Sequence, residues 1–240
     1  MNDFFITLPS NSSAQYYPDN QASRYRTQLA QSIQLEQQWE VAVYECRFPI
    51  TWKNVLEDHN TFTFQTTEDD ETPLTISIPT GYYNTLGKLI AVINERTPTK
   101  RKPAIKVVNS SHFVVLHGYY RFEEILGHIL GVSLNHLLGP RERNQYSFDA
   151  DALHHSIYLY GDFIHPQVVG DSMSPLLARI GVDNAQHGEY KTYSPRHLSY
   201  LPVIGEHLHS PLIYLCDETG RKIDFQTGII SVLLHFRQRL

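Results

Sequence analysis

The chain has 240 residues, 41% of them hydrophobic and 19% charged, with a net charge of −5. That length allows one large domain or two small ones and buries a core without disulfide or metal staples. The acidic balance argues against a dedicated nucleic-acid binder, no apolar run approaches the ~20 residues of a membrane-spanning helix, and Met1-Asn2-Asp3 lacks a secretory layout. The only two cysteines, Cys46 and Cys216, lie in apolar runs and make no disulfide framework, so a reducing compartment is expected.

In chain order the dominant period is two. Phe4–Leu8 is a short strand stopped by Pro9. Trp39, Val41 and Val43 alternate with Glu40, Ala42 and Tyr44 in a half-buried strand. Phe62 and Phe64 alternate with threonines, and Leu74, Ile76 and Ile78 lie between Pro73 and Pro79, with Glu68–Glu71 as a solvated hairpin tip between the two runs. Leu86, Leu89, Ile90 and Ile93 carry helical spacing after Asn84, a candidate N-cap. Ile105–Val108 and Phe113–Leu116 are short β runs. Phe122, Ile125, Leu126 and Ile129 repeat the helical spacing. Asn135–His155 reads as a long surface loop. Further strands are expected at Ile157–Tyr160, Leu198–Leu201, Leu212–Cys216, Lys222–Phe225 and Ile229–Phe236. About ten strands and two short helices point to an antiparallel sandwich with helices inserted in its connections.

The 13 histidines raise a metal hypothesis, which chance rates weaken. His-x-His is expected about 0.7 times and occurs once, at His207-Leu208-His209; His-x-Asp/Glu is expected about 1.4 times and occurs once, at His187-Gly188-Glu189. A cupin-type shell would need a carboxylate where Pro211, Leu212, Ile213 and Tyr214 stand. An iron-oxygenase set could be drawn from His187, Glu189 and His235, but its co-substrate arginine would fall beyond Leu240. Gly170-Asp171-Ser172 imitates the start of a hydrolase motif but sits late in a β-rich chain, so Ser172 reads as a turn residue. Lys100-Arg101-Lys102 is a solvated loop or a small basic signal. No catalytic residue, metal ligand or cofactor is assigned.

Several segments resemble a known family. They include Phe5-Ile6-Thr7-Leu8-Pro9-Ser10-Asn11-Ser12-Ser13, Tyr17-Pro18-Asp19-Asn20, Tyr25-Arg26-Thr27-Gln28-Leu29-Ala30, Trp39-Glu40-Val41-Ala42, Gly81-Tyr82-Tyr83-Asn84 and Ile125-Leu126-Gly127. The longest runs from Leu159 through Gly161-Asp162-Phe163-Ile164-His165-Pro166-Gln167 to Asp171, and the series closes on Leu233-Leu234-His235-Phe236-Arg237. In order and spacing these are similar to the minor capsid (penton) protein of Polinton/Maverick elements and the related adintoviruses.

The resemblance implies an all-β chain, a single jelly-roll antiparallel β-sandwich with two short inserted helices. Residues 1–240 would form one jelly-roll capsid domain, with a strand and arm over 1–30 and the long surface loop at 135–155. It implies a non-enzymatic structural role: a homopentamer at icosahedral vertices, beside a double-jelly-roll major capsid protein. Membrane spans and specific nucleic-acid binding are not expected. The protein would be made in the host cytoplasm, assembled there or in the nucleus, and reside in the virion without being secreted. Interfaces favour tyrosine and arginine, so Tyr16, Tyr17, Tyr25 and Arg26 in the polar arm are the candidate contact residues; the alternative is that these tyrosines cap the sandwich. Two other classes compete: a lectin-like module reading glycans through exposed Tyr and Trp, and a metal-dependent β-barrel enzyme.

Overall fold

The computed structural model describes residues 3–36, 38–70, 72–152, 154–182 and 186–239. Four strands come first: β1 (Asp3–Pro9), β2 (Arg24–Arg26), β3 (Ile33–Gln34) and β4 (Trp39–Pro49). Then follow β5 (Thr61–Gln65), β6 (Leu74–Ser77), α1 (Leu86–Arg96), β7 (Ile105–Val107), β8 (Phe113–Val115), β9 (Tyr119–Phe122) and α2 (Glu124–Leu130). The chain continues with β10 (Ser156–Gly161), β11 (Gln167–Val169), β12 (Ser172–Ser174), β13 (Leu176–Gly181) and β14 (Tyr190–Tyr193). It ends with β15 (Leu201–Pro202), β16 (His207–Leu208), β17 (Leu212–Cys216) and β18 (Ser231–Gln238).

Two sheets make the sandwich. One runs β1-β18-β4-β14, with β15 also on β4; the other runs β13-β10-β17-β2, and every pairing in both is antiparallel. The first and last strands are neighbours, and the chain crosses repeatedly between the two sheets, from β1 to β2, β2 to β4, β4 to β10, β13 to β14, β15 to β17 and β17 to β18, which is the jelly-roll winding. Alternation drives it. Val232, Leu234 and Phe236 of β18 are fully buried, while Ser231, Leu233 and His235 between them are half-buried. Strand β4 changes parity midway: Val41 and Val43 point inward, then Cys46 and Phe48 do. The register shows the cause, because Leu233 pairs with Glu45 but Leu234 pairs with Val43, leaving Tyr44 as a bulge.

The chain divides into two compact units, one of residues 1–52 and 154–240 and the other of residues 53–153. The strands at Phe62–Phe64, Leu74–Ile76, Ile105–Val107 and Phe113–Val115, read from sequence as sandwich strands, belong to the second unit. They form the sheets β6-β5-β9 and β7-β8 around a core of their own, with Leu89, Ile90 and Ile93 of α1 and Ile125, Leu126 and Ile129 of α2. Both helical stripes thus bury as the spacing predicts. Two boundaries differ: Thr85 rather than Asn84 caps α1, its hydroxyl accepting from the Lys88 amide, and Phe122 ends β9 before α2 begins.

The stretch 135–155 contains no helix or named strand among its described residues, but it is not wholly surface. Leu138 is buried and bridges to Tyr120, and the buried Asn144 donates to the carbonyls of Ser111, Leu130 and Tyr146 while accepting from the Phe113 amide. A buried amide with these bonds met fixes the loop as firmly as a strand would.

Candidate assembly surfaces

The N-terminal arm is pinned to the sandwich. Asn20 spans it, donating to the carbonyls of Ser12 and Arg26 and accepting from the Arg26 amide, and the Ser13 hydroxyl accepts from the Gln28 amide. The four residues singled out in this arm do not act alike. Tyr16 is 61% exposed. Tyr17 is half-buried, its hydroxyl donating to Gln28 Oε1 at 3.0 Å. Arg26 pairs with Asp162 at 2.9 Å and donates to the Ser210 carbonyl, a local tie between β2 and the ends of β10 and β17. Tyr25 is core: it is fully buried, its hydroxyl donates to the Leu8 carbonyl at 2.9 Å, and burial, with Cys46 second, pushes its pKa well up. Strand alternation turns Tyr25 inward between Arg24 and Arg26, so it presents nothing to a partner.

Sequence reasoning missed a larger surface. On the outer face of the β1-β18-β4 sheet, Phe5 is 53% exposed and Tyr44 46% exposed, their rings edge-on at 5.1 Å. Phe5 also stacks on His235 at 4.5 Å, which hydrogen-bonds the Tyr200 hydroxyl at 2.6 Å; Arg237 lies 3.5 Å over the Tyr200 ring and pairs with Glu40. The signal was visible in β1, where Phe5 is an aromatic ring on the alternation's solvent side. The opposite sheet carries a second stripe. Tyr160 and Tyr214 stack at 4.8 Å, Tyr214 pairs across with Arg24, and Tyr158 pairs across with Arg179.

Neither cysteine is activated. Burial lifts the Cys46 thiol to about 12, with Glu45 adding to the rise, and burial also raises Cys216, so neither is a thiolate near neutral pH. Ser172, expected in a turn, is the first residue of β12; it pairs with Val169 at the base of the β11–β12 hairpin and donates to the Val169 carbonyl. Among the described residues, no three His, Cys, Asp or Glu side chains gather where they could hold a metal ion, so His187, Glu189 and His235 are not brought together. Both tryptophans are buried, Trp39 at 8% and Trp52 at 1% exposure, which removes the exposed indoles a lectin-like site was expected to use. A cleft of 640 Å³ is lined by Trp39, His165, Glu206 and Arg239, but the Trp39 ring packs against Phe4 at 5.1 Å and offers no open face. Among the described residues no helix is long and apolar enough to cross a membrane.

No family model matches the chain, and no curated protein matches it. Solved structures do. The mavirus penton protein superposes with a TM-score of 0.60 at 10% identity, over 99% of this chain and 100% of that one. The fold is a jelly roll of the kind seen in the mavirus penton protein. A chain of the Sputnik virophage structure, determined by cryo-EM, matches with a TM-score of 0.53 at 10% identity, over 99% of this chain and 98% of that one. Both likenesses run the length of the chain, so the inserted unit is within the aligned span.

Proposed function

We propose that this chain is a structural capsid protein, the penton subunit of a virophage- or Maverick-like icosahedral particle, of the Polinton or adintovirus kind. One observation carries the reading: a two-sheet jelly roll of five and four strands that the mavirus penton protein matches over essentially the whole of both chains. The reading makes residues 1–240 one capsid subunit, located in the virion and without enzymatic activity. Its partners are four further copies of itself and a double-jelly-roll major capsid protein. The lectin reading has lost its exposed tryptophans, and the metal-enzyme reading has no gathered ligand set among the described residues.

Negative-stain images of the purified protein should show five-fold rings. A stable monomer that binds a glycan array would replace this reading with the lectin one. If the arm takes part in the ring, Tyr16→Ala with Tyr17→Ala weakens assembly while leaving the thermal midpoint of the monomer close to wild type, because Tyr16 is exposed and Tyr17 makes only one arm bond. Light scattering that shows unchanged ring mass for the double variant would remove the arm from the interface.

A further inference from the structure

We propose that the two outer faces of the sandwich are the two halves of one copy-to-copy contact. The arginine–tyrosine face of the β13-β10-β17-β2 sheet of one chain would lie against the Phe5–Tyr44 face of the β1-β18-β4 sheet of the next. This rests on the ring reading above. A closed ring of identical subunits is built from a head-to-tail contact, in which two different patches of the same molecule meet at every interface. The outer faces of a two-layer sandwich point away from each other, so they supply two such patches on opposite sides of one subunit.

Their chemistry is complementary. Strands β2, β10, β13 and β17 contain Arg24, Arg26 and Arg179 and not one Asp or Glu; Arg26 is engaged by Asp162 just beyond β10, which leaves Arg24 and Arg179 as the positive charges of the face. Across-strand pairing sets Arg24 beside Tyr214 and Arg179 beside Tyr158. Tyr160 and Tyr214 stack with an interplanar angle of 8°; Tyr160 is itself buried and backs the half-buried Tyr214 ring. The opposite face has the converse arrangement. Around the exposed rings of Phe5 and Tyr44 stand three carboxylates, Asp3, Glu40 and Glu45, against two guanidiniums, Arg237, which is engaged by Glu40, and Arg47, which lies 4.6 Å over the Tyr190 ring. Aromatic rings at the centre with opposite charges at the margin is the composition of an interface, where rings and arginines anchor and rim charges set the register. The occupant of each face is therefore the other face of a second copy.

Charge exchange tests this. Arg24→Glu with Arg179→Glu should weaken ring formation by roughly tenfold or more, as should Asp3→Lys with Glu45→Lys, because like charges then meet at the contact. A chain carrying all four substitutions should form rings again, since the signs are exchanged but still opposite. Ring mass is read by sedimentation, and thermal melts confirm that each variant is folded. Either double variant assembling as well as wild type would overturn the contact and leave the ring reading standing. So would a folded four-fold variant that does not recover. A wild-type chain that stays monomeric would instead overturn the ring reading on which the contact rests. If a charge reversal unfolds the chain, Phe5→Ser with Tyr44→Ser carries the same test from two exposed positions: loss of the ring supports the contact, and an unchanged ring overturns it.

Discussion

Replacing Phe236 with alanine should destabilise the jelly roll by about 3–5 kcal/mol, the cost of emptying a large aromatic site in a packed core. Phe236 is fully buried near the end of β18, the strand that joins β1 to β4, so its ring is flanked by residues of both neighbouring strands on the inner face of the sheet. It stacks on Phe4 at 5.0 Å with the planes 2° apart, and Phe163 lies 6.2 Å away in the same core. Against a total stability of about 5–15 kcal/mol for a typical domain, that loss is a large share. Urea unfolding followed by tryptophan fluorescence is the suitable measurement, because Trp39 and Trp52 both belong to the jelly-roll unit and report on it alone. The transition midpoint should fall with little change in slope. A loss under about 1 kcal/mol would mean that the paired-strand core is not organised around this ring.

The second large effect is a dependence of stability on pH that traces to His154. Its ring stacks on Trp52 at 4.9 Å, it is 4% exposed, and Nδ1 has no hydrogen-bond partner. Burial lowers its pKa from 6.5 to about 4, while the charge of Asp217 pulls it partly back and His155 lowers it further. Above about pH 6.5 the imidazole is neutral both folded and unfolded, and contributes no pH dependence. As pH falls below 6.5 the unfolded chain takes up a proton that the folded chain refuses, so stability drops until about pH 4, where the folded site is protonated too. The loss over that window is roughly 3 kcal/mol. The measurement is a comparison: denaturant unfolding of wild type and His154→Phe between pH 7 and pH 4. The phenylalanine variant keeps the stack on Trp52 and should lose less stability over the window by about that amount. Parallel curves would show that His154 is protonated without cost.

How much of this was legible in the sequence depends on how each strand is buried. Strands with one wet face announced themselves: β18 alternates cleanly, the first half of β4 does so apart from the buried Ala42, and both are where the spacing puts them. Strand β13 did not, because Leu176-Leu177-Ala178-Arg179-Ile180-Gly181 breaks its alternation where the register with β10 shifts between Leu159 and Tyr160. Strand β14, Tyr190-Lys191-Thr192-Tyr193, has no aliphatic residue to mark its inward side. The converse error occurred at Lys222–Phe225, where Ile223 and Phe225 suggest alternation but the backbone forms only isolated bridges. The helices were clear from their stripes, yet a stripe states only that something apolar lies opposite. It could not tell that the cover was a separate core of 53–153 rather than the sandwich sheets.

The residues of the proposed interface were less legible than the fold. Tyr25 was drawn to attention by residue type, but strand parity had already turned it inward. Phe5 and Tyr44 were overlooked for the opposite reason. Each looks like ordinary strand material until pairing places β1 and β4 on either side of β18, and a bulge turns Tyr44 outward. Opposite charge on the two faces is likewise a property of sheet order, which no linear segment displays.

The central claim is that this jelly roll exists to close a five-membered ring, and the mass of the purified protein in solution tests it most directly. Sedimentation equilibrium at neutral pH should give five times the 27.7 kDa of the chain. A mass of 27.7 kDa that persists as concentration is raised into the high micromolar range would contradict it.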